Sequence, residues 1–368
     1  MKVHLITLAA FPYTSAESIH LAMFSKAMAN SCQYTLITPL KPWRKMTWSK
    51  SLDKFYGIND NCFQQKKIFQ FSRTGKDFVE KALKFSIKEH ALVYARQYIV
   101  MFEACKKGLN CVWEIHSLPS ISQLKQVEIF ISNGLLKNIV VISSALKFDI
   151  ISNLDINYNY DNIFIVAPDA ADETKFSPKD QISDKPVVGY IGSAYKGKGA
   201  EIIFPLATSC PNIKFLFYGV EYGQKEIEYL GIPPSNLELK GKILYSEIPD
   251  ALNNFDIALL PNQPNVIVAN GDNIGKYTSP MKLFEYMASG KAIISSDLDI
   301  LKEVLVNNRN AILVDYKDVN AWKIELEKLY INKDLRLRLG LNAYQDFITS
   351  YTYKARAKNI LLCLSEKN

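Results

Sequence analysis

Two side chains of opposite charge stand three residues apart in the stretch Ser279-Pro280-Met281-Lys282-Leu283-Phe284-Glu285-Tyr286-Met287-Ala288-Ser289-Gly290. A helix is expected here. Ser279 suits the N-cap, Pro280 the first helical position, and Gly290 a left-handed C-terminal cap. Lys282 and Glu285 then share a face near the amino end, while Met281, Phe284 and Ala288 form a stripe to bury. The free N–H groups and positive end of such a helix favour an anion. A phosphate beside that end, with a carboxylate one turn on to accept hydroxyl protons, is a way to hold a sugar nucleotide.

A second constellation lies upstream. The run Val187-Val188-Gly189-Tyr190-Ile191-Gly192-Ser193 leads into Lys196-Gly197-Lys198-Gly199 and then a helix from Ala200. A strand, a glycine-rich turn and a helix make a phosphate site, because glycines let backbone N–H groups approach closely. Lysines at 196 and 198 add charge to what is otherwise a weak signal. A third set lies in the first half. His116 ends the strand-like run Cys111-Val112-Trp113-Glu114-Ile115, and Arg96 follows Leu92-Val93-Tyr94-Ala95. His20 begins a helix after the first strand. In open α/β sheets, ligands bind just past the carboxyl ends of strands, where a histidine can donate or accept hydrogen bonds. A backbone-bonded histidine and a plain helix-start residue are the alternative readings for His116 and His20.

The elements that must position these groups alternate. A strand over residues 2–9, a turn with Pro12, a helix over 18–29 and a strand over 34–38 open a doubly wound sheet. Strands are expected over 92–96, 111–116, 138–143 and 163–166. Residues 66–88 continue a basic character, with an amphipathic helix of open register. A link over 167–178 is followed by strands over 186–193, 213–218, 237–240, 256–261, 292–294 and 311–314. Helices are expected over 246–253, 319–330, 334–347 and 351–357. The polar stretch 262–276 reads as a loop of the kind that closes over ligands.

Composition bounds the rest. A chain of 368 residues, 48% hydrophobic and 22% charged, is long enough for two cores and ordinary for a soluble protein. The six cysteines form no C-x-x-C pair and there are four histidines, so reduced thiols are expected and a metal site is not. The apolar run after Lys2 is too short and too interrupted for a signal peptide, and no run is long enough to span a membrane. Residues 1–165 hold 20 Lys/Arg against 12 Asp/Glu, a balance of +8, while the remainder holds 24 against 25. The basic excess belongs to the first half and suggests an acidic partner there. Lys41-Pro42-Trp43-Arg44-Lys45-Met46-Thr47-Trp48-Ser49-Lys50 interleaves tryptophan with cations, a composition that suits an anionic membrane interface and equally an exposed loop. No nucleic-acid recognition module accompanies the charge.

The stretch from Ser279 to Gly290 resembles the donor-site signature of family-4 glycosyltransferases, in the subgroup with Ser-Pro-x-Lys before the motif glutamate. Val-Tyr-x-Arg followed by Glu-x-His at 93–116, the Ser-Ile-His of residues 18–20 and the link ending in Phe176-Ser177-Pro178 resemble the same family. The resemblance implies an α/β GT-B fold: two Rossmann-like doubly wound domains facing a central cleft, with a C-terminal helix crossing back to the first. The domains would be 1–168, binding acceptor, and 186–350, binding nucleotide sugar, with a linker at 169–185 and the final helix at 351–368. By resemblance Glu285 binds the ribose hydroxyls, Lys198 and Gly199 meet the diphosphate, and His116 lies near the transferred sugar. Those three, His116, Lys198 and Glu285, are the expected catalytic set. Gly192, Ser193, Gly199, Tyr277, Ser279, Pro280, Met281, Lys282, Leu283, His20 and Arg96 are the expected substrate contacts. Two positions depart from the family pattern. Tyr277 replaces its first glutamate, which approaches the donor sugar, and Ser193 stands where a cation is usual, a role Lys282 can take over.

The expected activity is retaining transfer of a sugar from a nucleotide diphosphate donor to a glycan or lipid-linked acceptor, in surface polysaccharide assembly. No metal or other cofactor is expected. The expected location is cytoplasmic, with peripheral contact to the inner membrane face through the basic first domain. A non-catalytic sugar-nucleotide scaffold and a GT-B-type sugar-nucleotide epimerase are the alternatives.

Overall fold

The computed structural model describes residues 1–42, 51–154, 160, 162–179, 183–267 and 273–365. Its chain divides into two compact units, residues 1–168 with the final helix, and residues 169–352. Each is a parallel sheet flanked by helices, as the alternation of apolar runs and amphipathic segments requires.

In unit 1 the elements run β1 (Lys2–Ile6), α1 (Ala16–Ala29), β2 (Gln33–Leu40), α2 (Leu52–Tyr56), β3 (Gln64–Phe69), α3 (Lys76–Lys88), β4 (Leu92–Ala95), α4 (Tyr98–Lys106), β5 (Cys111–Ile115), α5 (Ile121–Ser132), β6 (Leu136–Val141), α6 (Ser144–Ile151) and β7 (Phe164–Val166). The sheet order is β3-β2-β1-β4-β5-β6-β7, every pair parallel. Strand order reverses between β1 and β4, which opens a crevice at their carboxyl ends. The basic stretch 66–88 resolves into β3 and α3 rather than one helix. β3 is an edge strand with Gln64, Lys67 and Phe69 exposed and the rest half-buried, and Gly75 breaks the chain before α3 begins. Residues 43–50, where the tryptophan-rich basic run falls, lie outside the described residues.

Unit 2 runs β8 (Val188–Ile191), α7 (Ala200–Ser209), β9 (Phe215–Tyr218), α8 (Gln224–Leu230), β10 (Leu237–Leu239), α9 (Ile248–Leu252), β11 (Ile257–Leu260), α10 (Met281–Ala288), β12 (Ala292–Ser296), α11 (Asp299–Lys302), β13 (Ile312–Val314), α12 (Val319–Ile331) and α13 (Lys333–Ser350). Its parallel order is β10-β9-β8-β11-β12-β13, with the reversal between β8 and β11. Strands such as Ile257–Leu260 and Ala292–Ser296 are buried along their whole length, which is why their sequences do not alternate. Val188, Phe215, Phe217, Ile257, Ile294 and the fully buried Trp322 build the core, each large side chain contributing about 2–3 kcal/mol of burial. Trp322 is admissible there because its Nε1–H donates to Asp315 O at 3.0 Å. The stretch after Pro168 packs with this unit: Ala170, Ala171 and Phe176 are buried.

The last helix, α14 (Tyr353–Ser365), packs in unit 1 against α1 and β6. All six cysteines are free thiols. No described helix is long and apolar enough to cross a membrane.

Candidate functional site

In unit 2, three segments converge at the reversal of strand order. The turn after β8 carries Gly192 to Gly199, the loop after β11 carries Pro261 to Gln263, and α10 starts at Met281. Backbone ties hold them together. Gln263 N–H donates to Gly197 O (2.8 Å), and Tyr286 Oη accepts from Ile191 N–H (2.9 Å), fixing α10 to the end of β8. Gly199 has φ +102°, and a Cβ there would lie 2.2 Å from Pro261 Cγ and 2.5 Å from Pro261 O. Only glycine lets the turn pass this close to the neighbouring loop. Gly199→Ala should therefore destabilise unit 2 by about 3 kcal/mol, read as a lower urea midpoint for its transition. An unchanged midpoint would mean that the turn adapts freely.

The expected cap of α10 needs correction. The helix begins at Met281 with Pro280 in the N-cap position, and the Ser279 hydroxyl accepts from Asp169 N–H at 2.9 Å instead. The helix start is thereby left without a side-chain cap, its first N–H groups unclaimed by Ser279. The Leu283 side chain is buried and its N–H donates to Pro280 O at 2.9 Å. Met281 and Pro280 stay half-buried at the helix start.

Lys282 and Glu285 do come together with the glycine turn. Lys282 is half-buried. Its Nζ donates to Tyr190 Oη at 2.7 Å and lies 3.9 Å from the centre of that ring. A Cβ on Gly192 would sit 3.0 Å from Lys282 Nζ, so the ammonium rests on the turn itself. Tyr190 Oη in turn reaches the carbonyls of Lys198 (3.0 Å) and Ser193 (3.3 Å). Burial, and then the charge of Lys198, hold the Lys282 ammonium well below the usual lysine range, and burial lowers Lys198 too. A nearby like charge adds to the burial cost for Lys282, whereas for Lys198 burial alone is the cause.

Glu285 is 3% exposed. Among the described residues its carboxylate accepts no hydrogen bond. Burial pushes it up to about 8, against the pull of Lys282 and with Asp169 adding to the push. An ordinary buried carboxylate is bonded or paired, so one without a hydrogen bond and with a displaced titration is a candidate site residue. Tyr277 is half-buried just upstream, with the Lys276 ammonium 5.6 Å from its ring centre. Gly192 N–H is spent on Tyr218 O (2.9 Å), so that glycine supplies closeness rather than a donor.

Unit 1 gathers its polar groups around a residue the sequence reading passed over as a possible site member. Glu114, in the fully buried strand β5, has a completely buried side chain. It meets Arg356 Nη2 (3.3 Å), Arg96 Nε (3.6 Å), His20 Nε2 (3.3 Å) and His116 Nε2 (2.7 Å), and accepts from the Tyr94 hydroxyl. Burial pushes this carboxyl up, but Arg356 and the histidines outweigh it and hold the group well below the ordinary carboxylate range. The signal was present: one acidic residue in an otherwise apolar buried strand is rare unless paired.

His20 is 2% exposed, with Nδ1 3.4 Å from Tyr353 Oη and its ring against Phe24, contacts that brace α1 against Glu114 and α14. His116 and Arg96 behave differently. His116 keeps 30% of its side chain exposed, and a carboxylate opposite Nε2 requires the proton on that nitrogen. Arg96 Nη2 rests against the same ring, 3.0 Å from Nε2 and 3.4 Å from Nδ1. Both line a cavity of about 300 Å³ in unit 1.

The two doubly wound units are the fold of the GT-B glycosyltransferases. Residues 199–362 match the family model described as "Glycosyl transferase-like", which takes in most of unit 2 and reaches into α14. A protein of Methanocaldococcus jannaschii named as an uncharacterized glycosyltransferase is 26% identical over 227 residues, 60% of this chain. The match spans 56% of that relative's own length. Among solved structures, HepE of Anabaena in complex with UDP aligns with a TM-score of 0.73 at 14% identity, covering 100% of both chains. The apo lipopolysaccharide outer core galactosyltransferase WaaB aligns with a TM-score of 0.65 at 16% identity, again over 100% of both.

Proposed function

We propose that this chain is a glycosyltransferase that uses a nucleotide diphosphate sugar held by unit 2 and delivers the sugar, with retention, to an acceptor held by unit 1. One observation carries the reading: a bare buried carboxylate, Glu285, one turn from an ammonium that rests on a glycine turn at the switch point of a parallel sheet. A diphosphate laid on Gly199, Lys198 and Lys282 would restore full charge to both lysines. Ribose hydroxyls would give Glu285 the hydrogen bonds it lacks. The structural neighbours support the class: HepE is seen in complex with UDP, and WaaB is a lipopolysaccharide outer core galactosyltransferase.

In this reading the bond between the anomeric carbon and the diphosphate oxygen breaks while Lys198, Lys282 and the helix amides hold the growing negative charge. The acceptor hydroxyl bonds to the same face of the sugar, and its proton passes to the departing phosphate oxygen. No protein nucleophile and no metal is assigned to the step. Surface polysaccharide assembly, a lipid-linked or glycan acceptor, and a site at the inner membrane face belong to the same proposal. So do sugar contacts from His116 and Tyr277, and backbone contacts from Ser193, Ser279, Pro280 and Met281.

Titration calorimetry with UDP and with uridine tests it. UDP should bind and uridine only weakly. Lys282→Met should weaken UDP about 10- to 100-fold, the worth of charge-assisted hydrogen bonds to phosphate, and leave uridine unchanged. Equal loss for both ligands would place Lys282 away from the diphosphate. Binding of UDP-sugars without turnover on any acceptor would favour the non-catalytic scaffold, and interconversion of donors without acceptor the epimerase.

A further inference from the structure

The cavity in unit 1 lies at the carboxyl ends of β4 and β5 and is lined by Arg96, Gln97, Trp113, His116, Ser117 and Gln123 among others. Several of its polar groups are already spoken for. Gln97 Nε2 donates to Glu17 Oε1 (3.0 Å) and its Oε1 accepts from Leu8 N–H (3.1 Å), while Gln123 Oε1 accepts from Ser120 N–H (2.9 Å). Trp113 Nε1–H is used by Arg96 O at 3.3 Å. Arg96 is the exception. Its side chain is 9% exposed, Nη2 rests on His116, Nε reaches only to 3.6 Å from Glu114, and Nη1 is buried without a hydrogen-bond partner among the described residues.

The charge count makes that orphan informative. Glu114 is the carboxylate nearest Arg96, and it is shared with Arg356, His20, His116 and Tyr94. One negative charge is divided between two guanidiniums. Glu17, also on the cavity wall, is engaged by Gln97. A guanidinium N–H left dry in a low-dielectric wall is expensive unless something fills it, and an anion does so with a charge-assisted bond. The surplus of +8 in residues 1–165 would draw the same kind of molecule toward this unit.

We propose that this cavity takes the acceptor by an acidic group, a carboxylate or a phosphate ester, which the Arg96 guanidinium binds. The inference rests on unit 1 being the acceptor unit. It goes further by fixing the acceptor as an acidic saccharide or a phosphate-bearing one, not a neutral sugar.

Saturation-transfer NMR on the full chain, with and without saturating UDP, tests it using glucuronate, glycerol 3-phosphate, glucose and glycerol as probes. The acidic probes should bind at least ten times more tightly than the neutral ones, and comparing the two acids tells which kind of anion is preferred. Arg96→Gln should lower acidic-probe affinity roughly 10- to 100-fold while neutral-probe and UDP affinities stay put, and Arg96→Lys should recover part of the loss. Equal affinity for acidic and neutral probes, or an Arg96→Gln protein that keeps its preference, overturns the proposal. Should Arg96→Gln fail to fold, the native selectivity and the Arg96→Lys variant decide alone. Loss of UDP binding in the native protein would instead sink the glycosyltransferase reading and leave the acidic-probe result standing by itself.

Discussion

Glu285→Gln should make the protein more stable and less able to bind a nucleotide sugar. The carboxyl is pushed up to about 8 by burial, whereas in an unfolded chain it titrates near 4.3. The folded form thus holds the proton more tightly, and ionisation opposes folding. Stability is greatest below about pH 4.5 and declines as pH rises toward 8, beyond which the effect is complete. Glutamine keeps the shape and cannot ionise. At pH 8 the variant should gain about 2–4 kcal/mol, a melting point higher by about 5 °C or more, and at pH 5 the gain should nearly vanish. UDP-glucose affinity should move the other way. In the native protein it should strengthen as pH rises from 6 to 8, because the carboxylate is the form that accepts ribose hydroxyls. In the variant it should be weaker by about 10- to 100-fold and flat with pH. A variant melting lower at pH 8 would show that the carboxylate is a structural group.

The largest loss of stability is expected from Glu114→Gln. Removing this charge leaves the Arg96 and Arg356 guanidiniums buried without an anion, and the amide that replaces it keeps one accepting oxygen while turning a donor toward neighbours that themselves donate. Breaking a buried ion network from one side costs about 3–5 kcal/mol. Because the folded carboxyl titrates well below its ordinary range, its stabilisation is fully present above about pH 4.5 and is lost as pH falls through the folded value. The gap between native and variant melting curves should therefore be widest near neutrality and close in acid. UDP binding, which we propose for unit 2, should survive in the folded variant. A gap that persists unchanged at pH 3 would argue against the ion network as its source.

The contrast between these two glutamates shows what the chain discloses on its own. Glu285 was legible because its partners are local: Lys282 lies three residues away, and the helix periodicity puts both on one face. The parallel strands were legible for the same reason, as uninterrupted apolar runs between helices. Glu114 was not, because its meaning comes from Arg356, Arg96 and His20, which only the folded sheet and α14 bring to it. The surroundings of His20 were hidden for a related reason: its position after a strand was readable, but its burial beside Tyr353 was not. Ser279 fitted a helix cap by type, yet Asp169, 110 residues earlier in the chain, claimed its hydroxyl. The β3–α3 division was hidden because a polar edge strand such as Gln64-Gln65-Lys66-Lys67 lacks the apolar run that marks central ones.

Unit 1 is closed by the last thirteen helical residues of the chain, with Tyr353 and Arg356 among them, although every strand of its sheet is in place by Val166. During synthesis, unit 2 emerges as an unbroken segment and can complete itself while the earlier unit still waits. A ribosome that stops short of Arg356 leaves behind a product whose Glu114 faces an empty socket, an open substrate for cellular proteases. The order of synthesis therefore gives unit 2 a head start, and unit 1 gains its durability only once α14 has been made.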